Sequence, residues 1–283
     1  MIKDWLARYN PKDKIEAQFA LREIMQEVAL AGLHRGNFFN KAAFYGGTCL
    51  RIFHGLDRYS EDLDFSLLQP DPDFSLEKYL DIIKNEFENT GMNVSIKEKK
   101  KSKDTHVDSD FLKSETIWRE LVLENVIPQS GLTEQPNIKI KIEVDTVPPG
   151  EFDTEEKLLI RPFSFYVNCF VLPDLFAGKM HALLFRKWKD NVKGRDWYDF
   201  EWYIKKEVPL NLRHFSTRAR ESGDVPKGQL TQQDFRKLLI ARINSVDMER
   251  VKADAERFIP TDQTLKMWSK KYFNDLVPYL KFE

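Results

Sequence analysis

The residues of this chain whose types and spacing could do chemistry begin with Gly46-Gly47-Thr48 and, after thirteen intervening residues, Asp62-Leu63-Asp64. The stretch reads YGGTCLRIFHGLDRYSEDLDFSL. A small-residue turn leads into a short helix, and an apolar strand then carries two carboxylates. Side chains alternate across a strand, so Asp62 and Asp64 face one way while Leu63 and Phe65 face the other. Two neighbouring carboxylates repel unless a cation lies between them. Oxygen ligands of this kind suit Mg²⁺, which is commonly held by one or two carboxylates together with substrate phosphates. Backbone N–H groups and the Thr48 hydroxyl at a helix N-terminus can meet a phosphate. The pattern implies a site for a metal and a nucleoside triphosphate. The plainer reading is a turn and a surface pair of aspartates.

Three more groups bear on that site. In NIKIKIEVDTV, Ile138, Ile140, Ile142 and Val144 share one strand face, and Lys139, Lys141, Glu143 and Asp145 share the other. If this strand lies beside DLDFSL, it adds a third carboxylate, and two Mg²⁺ ions become possible. Otherwise it is a solvated edge strand. In LPDLFAGKMHALLFRKWKD, Lys179 sits among Leu175, Met180, Leu183 and Leu184. A lysine in a crevice can neutralise triphosphate charge, or it can simply snorkel. His181 on the same helix reads as a packed or surface histidine. In KGRDWYDF, Asp196 and Asp199 are helical neighbours, and Arg195 and Asp199 are spaced as an i,i+4 pair. These charges read foremost as an ion-pair network fixing two helices, although Arg195 could reach phosphate. The basic run KEKKKSK from Lys97 to Lys103 reads as a solvated hairpin end rather than a nucleic-acid contact.

The elements that must position these groups fall into two parts. Periodicity predicts a helix over 13–35, a strand at AAFYGG, a helix at TCLRIFHG, a strand at DLDFSLL and a helix over 75–89. MNVSIKEK and NIKIKIEVDTV read as strands, with a polar turn at 104–111, and SETIWRELVLEN reads as a strand or a helix, with the strand favoured. Pro148-Pro149-Gly150 ends the last of these, and the strand FYVNCFVL follows a loop. After Pro173 the pattern is helical to the end. Helices are expected over 174–188, 195–206, 231–244, 247–258 and 263–279, with a surface loop over 216–230. The expected fold class is α+β: a mixed sheet with helices in residues 1–168, then a helical bundle in 169–283.

Composition excludes other classes. Hydrophobic residues make 42% of the 283 and charged ones 31%, as in an ordinary soluble protein. Apolar runs such as VALAGL fall far short of the roughly 20 residues a membrane span needs. MIKDWLARYNPKDK has no apolar core of a secretory leader. Cys49 and Cys169 are too few for a disulfide framework or a zinc set, which fits reduced thiols in the cytoplasm. The net charge of −1 hides an asymmetry: residues 1–169 hold 22 basic and 29 acidic residues, and 170–283 hold 22 and 16. Opposite signs suit two halves that clasp each other, or a second half that attracts a polyanion.

Taken in order, YGGT, LRIFHGLDRYSEDLDFSL, IKIEV, LPDLFAGKMHALLFR and KGRDWYDF resemble the AbiEii/AbiGii family of nucleotidyltransferase-like toxins, over residues 40 to about 205. The resemblance implies a DNA polymerase β-type nucleotidyltransferase core. It implies a type IV toxin–antitoxin or abortive-infection role, with a cognate antitoxin encoded nearby. By the same resemblance, Gly46, Gly47 and Thr48 would cradle an NTP, and Asp62, Asp64 and Glu143 would bind two Mg²⁺ ions, with Asp145 as the other candidate for the third ligand. Lys179 and Arg195 would bind nucleotide phosphates, and Asp196 and Asp199 would support the site. The acceptor implied is a hydroxyl of tRNA. A protein or small-molecule acceptor, and a non-catalytic interaction protein, are the alternatives.

Overall fold

The computed structural model describes residues 2–92, 94–97, 116–123, 138–186, 192–226, 228, 230–259 and 263–283. The basic run from residue 98 to 103 and the polar turn at 104–111 lie outside them. The described chain forms two compact units. The first holds Met1–Phe53, Ser60–Pro148 and Glu155–Cys169; the second holds His54–Tyr59, Pro149–Thr154 and Phe170–Glu283.

The first unit opens with two helices, α1 (Ile2–Tyr9) and α2 (Lys14–Arg35). Asp13 caps α2 by accepting the Glu16 N–H at 2.8 Å, which satisfies one of the N–H groups a helix start leaves open. From Ala20 to Leu33 this helix is mostly buried. Then come β1 (Ala42–Tyr45), α3 (Gly46–His54), β2 (Leu63–Leu67), α4 (Glu77–Asn89), β3 (Val94–Lys97), β4 (Thr116–Leu123), β5 (Ile138–Asp145), β6 (Thr154–Leu159) and β7 (Phe165–Phe170). The seven strands make one mixed sheet in the order β3-β4-β5-β2-β1-β7-β6. β1 runs antiparallel to β2 and parallel to β7, while β2 runs parallel to β5. Strand β5 is therefore an inner strand between β4 and β2, and its isoleucines are buried as the alternation requires. Helices α2 and α4 pack together so closely that a Cβ on Gly32 would stand 2.7 Å from the Ile83 Cα. Phe38, Phe44, Phe65 and Tyr79 fill the core with edge-on and tilted ring contacts.

The second unit contains α5 (Leu172–Phe185), α6 (Gly194–Lys205), β8 (Pro209–Leu210), α7 (Leu212–Glu221), α8 (Gln232–Ser245), α9 (Met248–Ala255), α10 (Lys270–Leu276) and β9 (Lys281–Phe282). Three expectations are corrected here. The chain after Pro173 is not wholly helical, because β8 and β9 pair in parallel. The loop expected over 216–230 begins as helix α7. Asn211 caps it by accepting the His214 N–H, and Ser216 and Thr217 are buried in it despite their polarity. Ser216 is satisfied by donating to the Leu212 carbonyl at 2.7 Å. The helix expected over 263–279 is three short pieces, because Ser269 caps a new helix through the Tyr272 N–H and Pro278 closes it in a 3₁₀ turn. The sequence reading also passed over α1 and β6. Among the described residues no helix is long and apolar enough to cross a membrane.

A buried carboxyl in the first unit links this fold to pH. Glu27 on α2 is held by Arg161 at 3.3 Å through one oxygen, while its other oxygen is buried without a partner among the described residues. Burial raises its pKa from 4.5 to about 7, against the pull of Arg161. The folded chain thus keeps a proton that the unfolded chain releases near 4.5. Stability should fall as pH rises between these values, by roughly 3 kcal/mol if the whole shift is expressed. Urea unfolding at pH 5 and pH 8 should show this loss in the wild type and not in Glu27→Gln.

Candidate active site

In the first unit the glycine turn and the carboxylate strand are brought together by one hairpin-like pairing. Tyr45 lies opposite Asp64 in the β1–β2 register, so the residue after Tyr45 meets the Asp64 side chain. That residue is Gly46, with φ +84°. A Cβ there would stand 2.3 Å from Asp64 Oδ2 and 3.1 Å from the Asp64 Cβ. Both the backbone angle and the close approach require glycine. Helix α3 starts at this residue, so its first N–H groups sit where the carboxylate is held.

Thr48 is fully buried, and its hydroxyl donates to the Asp62 carbonyl at 2.5 Å. The threonine thus fastens the turn to the residue that enters β2. This hydroxyl proton is therefore spent on the fold and not on a phosphate. Asp62 itself lies one residue before the strand and is half-buried.

Strand β5 adds its polar face directly beside. The register pairs Asp64 with Glu143 and Ser66 with Asp145. Partners across a parallel pair point the same way, so Glu143 is the immediate neighbour of Asp64. Asp145 is one step further along, and its carboxylate accepts the Val147 N–H at 3.2 Å. Lys141 Nζ contacts Glu143 Oε1, and Lys139 pairs with Glu120 at 3.0 Å. Among the described residues no three His, Cys, Asp or Glu side chains are already gathered into a metal cage. The donor set fits Mg²⁺ nonetheless, since that ion takes part of its shell from phosphate and water.

The second unit carries the other predicted residues. Asp199 is completely buried on α6 and accepts a two-point bond from Arg58, Nε to Oδ1 and Nη2 to Oδ2, each at 2.6 Å. Lys179 Nζ lies 2.8 Å from Asp199 Oδ2 and 3.9 Å from Asp196 Oδ1. Asp196 also accepts from Arg186 at 3.3 Å. Burial opposes the Asp199 charge most strongly, but Arg58 and Lys179 outweigh it and hold the carboxyl at about 2. Arg195 stacks over the Phe258 ring at 4.0 Å. His181 is buried, bonded to Ser222 and Asp224, and burial lowers its pKa to about 3, so it stays neutral at ordinary pH. Cys49 and Cys169 are buried free thiols, and burial raises Cys49.

Sequence reasoning missed Arg58. The signal was present, since Arg58 stands in the quoted stretch DRYSEDLD four residues before Asp62. Nothing in the sequence pairs it with a residue 141 positions away.

A mixed sheet that sets a glycine turn against a carboxylate strand, followed by helices, is the arrangement of a nucleotidyltransferase. Solved structures with this fold include a candidate nucleotidyltransferase from H. pylori, 16% identical over 92% of this chain and 91% of that one, with a TM-score of 0.51. JHP933 from Helicobacter pylori is 15% identical over 92% and 88%, also at 0.51. No curated protein matches the sequence significantly. Residues 28–276 match the family described as Nucleotidyl transferase AbiEii toxin, Type IV TA system, and the chain belongs to that family.

The contact at Gly46 can be isolated from its backbone angle. Gly55 also has a positive φ, +73°, but among the described residues nothing lies within 4 Å of where its Cβ would be. Gly55→Ala should cost about 1–2 kcal/mol, the backbone penalty alone. Gly46→Ala should cost at least about 1 kcal/mol more, because Asp64 must move. Urea unfolding of the two variants measures the difference.

Proposed function

We propose that this protein is a Mg²⁺- and NTP-dependent nucleotidyltransferase whose acceptor is a hydroxyl of tRNA, and that it acts as the toxin of a type IV pair with a cognate antitoxin. The observation that carries the reading is the placement of Asp64 between the bare Cα of Gly46 and Glu143 on the neighbouring strand. Membership of the AbiEii family supports the transferase chemistry and the toxin role.

In this reading Asp62, Asp64 and Glu143 hold the metal ions, and the register favours Glu143 over Asp145 as the third ligand. Bound Mg²⁺ would supply charge stabilisation for the attacking hydroxyl and for departing pyrophosphate. The residues of the chain do the positioning. The N–H groups of Gly47 and Thr48 at the start of α3 orient phosphate oxygens. Lys179 neutralises phosphate charge, and Arg195 adds a second cation. Asp196 and Asp199 support the site by setting the charge around Lys179. Glu143, paired with Lys141, stands ready to accept the proton of the acceptor hydroxyl. Attack on the α-phosphate then breaks the bond to the β-phosphate and releases pyrophosphate. Most of the acceleration comes from alignment and electrostatics.

The test is transfer of label from each of four α-³²P NTPs into total cellular RNA with Mg²⁺. The wild type should label tRNA-sized RNA, and Asp64→Ala should lower the rate by at least about 10³-fold while unfolding at a similar urea concentration. Label retained by Asp64→Ala would remove the metal site from the reading. Bound NTP without labelled RNA would move the acceptor to a protein or small molecule.

A further inference from the structure

Lys179 has an electrostatic problem that Arg58 solves. Its ammonium lies against Asp199 and Asp196, and a lysine held by two carboxylates has little charge left for an anion. Arg58 changes the balance. It is 2% exposed, and its Nε and Nη2 are both spent on Asp199, while Nη1 donates to the Tyr59 carbonyl at 3.0 Å. Such a bidentate, always-charged partner is the strongest neutraliser a carboxylate can have. Asp199 is thereby cancelled before Lys179 is counted.

The described ion pairs of this cluster join two carboxylates, Asp199 and Asp196, to three cations, Arg58, Lys179 and Arg186. The sum is +1. Within the Asp199 group, Lys179 is the member that reaches solvent, at 17% exposure against 2% and 0% for Arg58 and Asp199. The helix beside it is bare: among the described residues nothing lies within 4 Å of where a Cβ of Gly178 would be.

We propose that Arg58 is a positioning residue that neutralises Asp199 so that the Lys179 ammonium serves a phosphate anion. The proposal rests on the reading of Lys179 as a phosphate ligand. Charge arithmetic separates it from a merely structural role. Arg58→Gln lowers the cluster sum to 0, Asp199→Asn raises it to +2, and the double variant returns it to +1. Each single change breaks the same buried pair and should destabilise the fold. Their effects on anion binding should nevertheless be opposite.

The experiment is calorimetric titration of the full chain with magnesium tripolyphosphate, alongside urea unfolding of each variant. Lys179→Gln should weaken binding about tenfold or more. Arg58→Gln should weaken it by a similar factor, Asp199→Asn should bind at least as tightly as the wild type, and the double variant should recover to within about threefold of it. A folded Arg58→Gln with wild-type affinity overturns the role, as does a double variant that stays weak. If Arg58→Gln does not fold, Asp199→Asn binding more weakly than the wild type overturns it. Unchanged affinity in Lys179→Gln overturns the phosphate reading and the role of Arg58 with it, whereas a weak Lys179→Gln beside an unaffected Arg58→Gln overturns the role of Arg58 alone.

Discussion

Everything in the first unit's site follows from Asp64 lying against a residue with no side chain. The β1–β2 register fixes Tyr45 opposite Asp64, the turn to α3 begins at the next residue, and the carboxylate occupies the space that a Cβ would need. A one-residue slip would turn Asp64 into the core and Leu63 outward. The buried Leu63 and Phe65 resist that slip, since both are fully buried beside Ile142 and Val144. The apolar face of the sheet therefore holds the polar face in place. Thr48 adds a clamp from the side by binding the Asp62 carbonyl. Hydrophobic burial sets the register, and the register sets which carboxylates stand side by side.

The second unit uses its charges differently. Its sequence is basic, but many of its cations are occupied by the fold. Arg236 donates to the Val277 and Leu280 carbonyls, Arg242 donates to the Leu183 carbonyl, and Lys205 pairs with the buried Glu201. Glu201 in turn accepts from Trp268 and Tyr272. These bonds satisfy helix ends and a buried carboxylate that would otherwise be costly. A net charge of +6 over residues 170–283 is thus a poor measure of the field that a polyanion would meet.

Much of this was legible in the sequence where local pattern and tertiary demand agree. Strand β5 alternates strictly, and the structure buries its isoleucines and places its charged face beside Asp64. The α+β class and the nucleotidyltransferase family were readable because the motifs stand in order along the chain. Reading failed where long-range contacts override composition. Helix α7 looked like loop because Ser216 and Thr217 are polar, yet they turn inward and bond to the backbone or pack. Which of Glu143 and Asp145 lies opposite Asp64 depends on strand register, which no single strand reveals. Arg58 was hidden because its partner is on a helix far along the chain.

The interleaving of the two units limits how the protein can be divided. Residues 170–283 look like a separable helical module, but two short segments from earlier in the chain belong with them. One, His54–Tyr59, carries the guanidinium that sits on Asp199. The other, Pro149–Thr154, gives the Gly150 carbonyl to His214 and the Asp153 N–H to Asp174. A fragment cut at residue 170 would keep a buried aspartate without its arginine, and a buried histidine and a buried carboxylate without these backbone partners. The C-terminal part is therefore no self-sufficient cassette: a graft onto another scaffold must bring both threads of the earlier chain with it.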